Sequence, residues 1–320
     1  MSRPKVSIVI PTYNRTYFLK RALKSVLEQS FQDYEVLVVD DCSRENVQEV
    51  VKELKDNRIR YLRHETNQGE AISRNTAIQA AQGEYIAFLD DDDEWMPEKL
   101  ELQIEFMDKA PESTGAVYSE FLWMNAEDGR FLGRRKIPMK NGHIPTGKEE
   151  VYKILLARNL IGTPSTVVLR KSCFKEIGFF DSQIAYGVDH DLWIRLARHY
   201  SLEYINRALV KCYVHPERLS NKLEVVMRGQ RDMMVKYPTS RPEHREYHSR
   251  RYSTLGERLC LNGEMKKGRK MFVDSIRLLP SNWRSYLNLF FAFFGHSAYS
   301  RWQKMRRRAG HQVRLRGKKS

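Results

Sequence analysis

The 320-residue chain contains few cysteines and no long apolar run. Its four cysteines are widely spaced and form no CxxC pair, so the sequence indicates neither a zinc site nor a disulfide framework. No segment approaches the roughly 20 apolar residues that span a bilayer. The residues before the first predicted strand also lack the apolar core of a secretion signal. From these absences we expect a protein of a reducing compartment, the cytoplasm.

Two nucleotide-binding motifs are missing as well. Neither GxGxxG nor GxxxxGK followed by Ser or Thr comes after an apolar strand, which argues against dehydrogenases and P-loop kinases. The net charge of +15 is concentrated at one end, because residues 301–320 carry nine Lys or Arg and no acid. A basic excess confined to a tail does not indicate nucleic-acid binding, so we expect no nucleic-acid partner.

Between residues 5 and about 215, apolar strand patterns alternate with helical ones. This alternation predicts an α/β fold with a mostly parallel sheet, in which ligands bind beyond the carboxyl ends of the strands. Polar clusters follow three of the predicted strands at that edge. The predicted strands are 6–10, 35–39, 59–62 and 84–89, and the predicted helices are 18–27, 47–54 and 71–81.

Four consecutive carboxylates, Asp90 to Asp93, follow the apolar run 84–89. Such a group can bind Mg²⁺ or Mn²⁺, which take oxygen ligands and bridge protein carboxylates to a substrate diphosphate. It can equally be a solvated acidic turn that caps the helix predicted at 97–109. The residues of the run leave both interpretations open.

An ordered set of motifs across residues 5–215 resembles family 2 of the nucleotide-sugar glycosyltransferases. The resemblance implies a GT-A type fold, a divalent metal (Mn²⁺ or Mg²⁺) and inverting transfer of a hexosyl or related group to a hydroxyl. The segments that carry it are 6–15, 38–43, 67–69 with Arg74 and Asn75, 88–93, 177–181, 189–195 and His215.

The resemblance also implies where the nucleotide lies. Asp41 would contact the base or ribose, since a carboxylate suits the N3–H of uracil, and Arg74 would approach the diphosphate or ribose with its guanidinium fork. Alternatively, Asp41 is the N-cap of the next helix, and Arg74 is a helix-surface arginine. The turn after the first strand would hold the base and ribose, unless it is an ordinary turn; its residues are Pro11, Thr12, Tyr13, Asn14 and Arg15.

Within the acidic run, the family pattern Asp-x-Asp-Asp maps onto Asp90 and Asp92. Asp92 is the predicted metal ligand, Asp90 contacts ribose or metal, and Asp91 occupies the variable position on the nucleotide side. Because Asp91 is also acidic, the register could shift by one residue. Asp93 is expected to cap the following helix or orient its neighbours. His215 would complete the metal shell, unless it is a surface-loop histidine.

The acceptor hydroxyl must lose a proton as it attacks the sugar. The resemblance implies Asp189 as the general base, because it matches the second acid of the family's usual acidic pair. Asp191 is the fallback. Asp189 could instead be a plain N-cap, and Val188 stands where the family usually has a first acid.

The C-terminal third is predicted to be helical, in segments 223–237, 243–262, 266–279 and 282–308. We therefore expect a catalytic domain at 1–215 and a helical extension at 216–320. Aromatic residues in 283–302, followed by the basic tail, predict contact of 283–320 with an anionic membrane surface. The alternative is a helix packed on the catalytic domain with a solvated tail.

Together these features predict transfer from a nucleotide sugar to a glycan or lipid-linked acceptor, in synthesis of a cell-surface polysaccharide or glycoconjugate. UDP is the first choice of carrier, with other nucleotides open. We expect a cytoplasmic protein that is peripheral on the inner face of the membrane. A sugar-nucleotide pyrophosphorylase and a non-catalytic nucleotide- or glycan-binding module are the alternatives.

Overall fold

The computed structural model describes residues 3–137, 145–238 and 240–316. Its strands are β1 (Val6–Thr12), β2 (Tyr34–Asp40), β3 (Ile59–Arg63), β4 (Tyr85–Phe88), β5 (Asp93–Trp95), β6 (Thr114–Asn125), β7 (Phe131–Arg135), β8 (Val168–Arg170) and β9 (Ser201–Val214). Its helices are α1 (Thr16–Leu27), α2 (Val47–Glu53), α3 (Glu70–Ala80), α4 (Lys99–Lys109), α5 (Lys148–Ala157), α6 (Phe174–Ile177), α7 (Val188–His199), α8 (Leu223–Lys236), α9 (Pro242–Leu261), α10 (Met265–Leu278), α11 (Trp283–Ala292) and α12 (Gly295–Arg316).

Within these residues nine strands form one sheet in the order β3-β2-β1-β4-β8-β6-β9-β5, with β7 paired to β6 outside that order. β1 is parallel to β2 and β4, and β2 is parallel to β3. β8 runs antiparallel to both β4 and β6, while β6 and β9 are parallel. The sheet therefore has a parallel part, β3 to β4, and a mixed part that follows it.

The parallel part is held by burial on both faces. β1 and β2 are almost continuous runs of β-branched and other apolar residues, as strands buried on both sides require. On one face, the buried stripe Leu19, Leu23 and Val26 of α1 packs against the sheet in a single apolar cluster. This packing fixes the carboxyl ends of β1, β2 and β4 side by side.

The predicted α/β fold is confirmed, and so are the four strands and three helices predicted up to residue 89. The sheet is more mixed than the sequence suggested, because β6, β7 and β8 come from a part of the chain for which no element was predicted. For β9 the sequence predicts only a strand at 208–214; the observed strand begins earlier and runs along most of β6.

The described chain divides into two compact units. The first contains the sheet and extends to Lys222, apart from residues 156–158; the second contains those three residues and the chain from Leu223 onward. In the second unit, α9 and α10 approach closely at two glycines. A Cβ on Gly268 would lie 2.3 Å from the sulfur of Cys260, and one on Gly256 would lie 2.6 Å from the ring of Phe272.

The single helix predicted at 282–308 is wrong, because the structure has two helices there. α11 ends at Ala292, and Gly295 adopts a φ of 84°, a left-handed conformation that glycine takes without strain. Among the residues that the structure describes, no helix has both the length and the apolar content to cross a membrane.

Candidate functional site

Three neighbouring parallel strands end at the same edge of the sheet. Thr12 ends β1, Asp40 ends β2, and β4 ends two residues before Asp90. The order β2-β1-β4 brings the polar segments that follow these strands together, as ligand crevices in α/β sheets require.

Asp91 is bound to the segment that follows β1. The hydroxyl of Thr12 donates to Oδ2 of Asp91 at 2.8 Å, and Nη1 of Arg15 donates to Oδ1 at 3.1 Å. Burial, together with the neighbouring Asp92, raises the pKa of Asp91 to about 7. Its carboxylate therefore joins β1 to the acidic run.

Asp92 lies beside His215 because of the strand register. β5 and β9 are antiparallel with Asp93 opposite Cys212, so the residue before Asp93 lies near those that follow Cys212. Nε2 of His215 is 2.7 Å from Oδ2 of Asp92. Burial opposes ionisation of Asp92, but the hydrogen bond with His215 and the charge of Arg15 outweigh it and lower its pKa.

Carboxylate oxygens of Asp90, Asp92 and Asp93 lie within 4.8 Å of one another. Asp93 starts β5 and does not cap a helix, since α4 begins later with Glu98 as its N-cap. Its Oδ2 accepts hydrogen bonds from the Ser165 hydroxyl at 2.7 Å and from the Cys212 thiol at 3.4 Å. Its Oδ1 is buried without a hydrogen-bond partner among the described residues. Carboxylate oxygens are the hard donors that Mg²⁺ and Mn²⁺ prefer. Three carboxylates this close together, with one oxygen of Asp93 unpartnered, fit an ion of this kind.

Arg74 is buried in α3 and is not a surface arginine, being 1% exposed. Its Nη2 donates to Oδ1 of Asp90 at 2.6 Å, and its guanidinium also pairs with Glu70. Burial alone would lower the pKa of Arg74, but the carboxylates of Glu70 and Asp90 raise it, followed by that of Asp189. The charge of Arg74 thus interacts both with the acidic run and with the predicted base.

Asp189 is in the first turn of α7, after Gly187 in the left-handed conformation. Nδ2 of Asn159 donates to Oδ2 of Asp189 at 3.1 Å. Burial and then the charge of Glu70 raise the pKa of Asp189 to about 6. The fallback Asp191 is fully buried and forms an ion pair with Arg195, with its Oδ2 2.7 Å from Nη2. The ion pair with Arg195 engages the carboxylate that would have to take the proton of the acceptor hydroxyl.

Asp41 does not cap α2, because Asn46 does so by accepting from the backbone N–H of Glu49 at 3.2 Å. Its carboxylate lies 2.8 Å from Nδ1 of His64 and accepts from the backbone N–H groups of Gln68 and Gly69, at 2.9 and 2.7 Å. Asp41 thereby fixes the turn that leads into α3 and Arg74.

The turn after β1 leaves one aromatic ring accessible. Tyr13 is 44% exposed, as a stacking platform would need to be. Asn14 has a φ of 53° and binds the segment that follows β2. Its Oδ1 accepts from the backbone N–H of Arg44 at 2.7 Å, and its backbone N–H donates to the hydroxyl oxygen of Ser43 at 2.9 Å. Pro11 is still part of β1, paired with Val39.

Sequence reasoning missed three polar residues that touch the acidic groups, and a fourth, Glu70, that pairs with Arg74. Three of them lie in segment 159–166, which contains no acid, histidine or cysteine, and Glu70 lies in the first turn of α3. No motif distinguished these residues. The hydroxyl of Thr163, for example, donates to Oδ2 of Asp90 at 3.1 Å. The missed residues are Glu70, Asn159, Thr163 and Ser165.

The model of Glycosyl transferase family 2 matches residues 7–178, which is more than half of the chain. The chain belongs to this family. The resemblance seen in the motifs is confirmed, and the protein is a glycosyltransferase with the GT-A type fold.

Two proteins from Escherichia coli are among the relatives of this chain. The "Putative colanic acid biosynthesis glycosyl transferase WcaA" of strain K12 is 34% identical over 203 residues, 62% of this chain and 68% of that protein. The "UDP-Glc:alpha-D-GlcNAc-diphosphoundecaprenol beta-1,3-glucosyltransferase WfgD" is 34% identical over 201 residues, 63% of this chain and 73% of that protein.

A solved structure with the same fold is S. aureus TarS 1-349 in complex with UDP. Its TM-score is 0.61 at 22% identity, and the match covers 95% of this chain and 92% of that chain. The fold likeness therefore extends beyond the segment matched by the family model.

Proposed function

We propose that the protein transfers a sugar from a nucleoside-diphosphate sugar, a UDP-sugar first of all, to a hydroxyl of a glycan or lipid-linked acceptor, with inversion at the anomeric carbon. The observation that carries this proposal is a pair of acidic groups that both interact with the charge of Arg74. One is the cluster of Asp90, Asp92 and Asp93; the other is Asp189. The names of the relatives support the class of reaction, since WfgD uses UDP-Glc and a lipid diphosphate acceptor and TarS 1-349 binds UDP.

Asp92, with Asp90, Asp93 and His215, would hold Mn²⁺ or Mg²⁺ at the end of β4. When bound, a divalent cation neutralises the charge that develops on the departing diphosphate. Arg74 is placed to add a second positive charge close to Asp90. Tyr13 and the adjoining turn residues Pro11 to Arg15, with Asp41 behind them, would form the nucleotide side of the pocket.

Asp189 would take the proton of the acceptor hydroxyl. The hydroxyl oxygen bonds to the anomeric carbon as the bond from that carbon to the β-phosphate oxygen breaks, and the nucleoside diphosphate leaves with the electron pair. Asn159 donates to Oδ2 of Asp189 and would hold the carboxylate in place for the incoming proton. A single displacement of this kind inverts the anomeric configuration.

We assign the transfer to residues 1–215 and treat residues 216–320 as a helical extension. In keeping with the relatives, the product would belong to a cell-surface polysaccharide or glycoconjugate.

The test is release of nucleoside diphosphate by the full chain with Mn²⁺, across a panel of UDP-, GDP- and dTDP-sugars and of glycan and polyprenyl-diphosphate acceptors. Asp189→Asn should still bind donor but transfer roughly 10²–10⁴-fold more slowly, because it lacks a general base. Asp274→Asn makes the same chemical change on α10, in the other compact unit, and should transfer at the normal rate.

Three results would contradict the proposal. Donors that bind without turnover on every acceptor would indicate a binding module, and pyrophosphate release would indicate a pyrophosphorylase. A product that retains the donor's anomeric configuration, measured by NMR, would exclude the single displacement.

A further inference from the structure

The outward side of α11 is formed by large apolar side chains. On a helix with 3.6 residues per turn, their spacing places them within an arc of about 120°. The turn after α11 continues this arrangement, because the backbone N–H groups of Phe293 and Phe294 still bond to carbonyls three residues earlier. We call this set the aromatic face; its members, 42% to 68% exposed, are Trp283, Tyr286, Leu287, Phe290, Phe293 and Phe294.

The fully buried side chains of α11 are polar or small, while its partly buried Leu289 and Phe291 pack against an apolar cluster. Ser285, Asn288 and Ala292 are fully buried. The hydroxyl of Ser285 lies 2.8 Å from that of Ser275 on α10, and Nδ2 of Asn288 donates to Glu257 on α9 at 2.9 Å.

The third helix of this network is α12. Oδ1 of Asn288 accepts from the hydroxyl of Tyr299 at 2.8 Å and from Nε2 of Gln303 at 2.9 Å. Rotating α11 to bury its aromatic rings would leave these buried polar groups without partners, which is strongly unfavourable. The hydrogen bonds therefore hold the aromatic face outward.

The charged residues in the stretch of chain that carries this face are all basic. Residues 283–320 contain ten Lys or Arg and no Asp or Glu. The guanidinium of Arg269 lies 5.2 Å from the ring centre of Phe293, and that of Arg284 lies 5.7 Å from Trp283. Arg301 and Lys304 are exposed on α12.

We propose that the aromatic face and the surrounding cations dock the protein on an anionic lipid bilayer, with α11 lying in the headgroup region. Aromatic rings favour that region, and Lys and Arg near an anionic surface strengthen binding about fivefold each. A second copy of the chain fits less well, because it would bring two sets of cations together without an opposing acid.

The test uses the full chain without donor or acceptor. Co-sedimentation is measured with vesicles of phosphatidylglycerol and phosphatidylcholine and with vesicles of phosphatidylcholine alone. We expect binding to the anionic vesicles to be at least about tenfold stronger. The triple variant Phe290→Ser, Phe293→Ser, Phe294→Ser should lose at least about tenfold in that binding, because three exposed rings no longer enter the interface.

The matched control is Phe131→Ser with Leu132→Ser, which removes two exposed apolar side chains from β7 and should bind like the wild type. Circular dichroism checks that each variant is folded. Lipids brominated near the headgroup should quench the wild-type tryptophan fluorescence, and Trp283→Phe should lose most of that quenching although four other tryptophans remain of the five.

Equal binding by the wild type and the triple variant would overturn the proposal, as would equal binding to the two kinds of vesicle. Absence of vesicle binding, with wild-type dimers that the triple variant cannot form, would instead make a second copy the occupant of the aromatic face.

Discussion

The proposed base gives the transfer reaction a defined acid limit. The pKa of Asp189 is raised to about 6, by burial first and by the charge of Glu70 second. A general base acts only in its ionised form, so activity is lost as the pH falls through this value. Its ionised fraction drops from about nine tenths at pH 7 to about one tenth at pH 5, so we expect kcat/KM to fall about tenfold between them.

Two variants should move this limit in opposite directions. Glu70→Gln removes a negative charge that disfavours ionisation of Asp189, so the acid limb should shift to lower pH. Asn159→Ala removes the hydrogen bond donated to Oδ2, so the limb should shift to higher pH. We expect shifts of roughly half a pH unit, because the side chain of Glu70 is 39% exposed and its field is partly screened by water.

The assay is the initial rate of nucleoside diphosphate release at low donor concentration and constant ionic strength, from about pH 5 to about pH 8. Donor binding is measured at the same pH values, so that a loss of binding is not mistaken for a loss of the base. The reasoning fails if the rate is flat through pH 6, or if both variants move the acid limb in the same direction.

Three further predictions concern single buried or acidic side chains. Asp92→Asn should weaken Mn²⁺ binding at least about tenfold by calorimetry, while Asp128→Asn in the exposed turn before β7 should not change it. Arg74→Met leaves Asp90 without its ion-pair partner and should lower the free energy of unfolding by at least about 2 kcal/mol in urea; a smaller loss would contradict the buried pair. Lys99→Met should raise that free energy by about 1–3 kcal/mol at pH 7, because Lys99 is fully buried and burial lowers its pKa far below 10.5. Since the folded chain holds the Lys99 proton less tightly than the unfolded chain does, wild-type stability should rise with pH toward 10.5, and the variant should lose that slope.

The amino-acid pattern predicted the parallel part of the sheet because each element there has its own local periodicity. Val6–Ile10 is a continuous β-branched run, and α1 repeats its apolar residues at helical spacing. Of the mixed part only the end of β9 was predicted, since β8 has three residues and β9 pairs with distant partners. The break between α11 and α12 has a local cause in Gly295, which the sequence analysis passed over in favour of one long helix.

The register of the aspartate run has a different kind of origin. The four carboxylates have different sets of partners, which come from positions spread along two thirds of the chain: Arg74 for Asp90, Thr12 and Arg15 for Asp91, His215 and Arg15 for Asp92, and Ser165 for Asp93.

A shift by one residue would change these partners: with Asp91 beside His215, Asp90 would lie beside Thr12 and Asp92 beside Ser165. Because the four residues are identical, no local sequence pattern can exclude such a shift. The pairing of Asp93 with Cys212 excludes such a shift. This pairing makes Asp92 the residue that precedes β5 and brings it near His215, which follows β9. The choice of Asp92 over Asp91 as the metal ligand thus rests on an antiparallel strand pair. Asp92→Asn should accordingly weaken Mn²⁺ binding more than Asp91→Asn, and the reverse order would mean that this register does not hold in the protein.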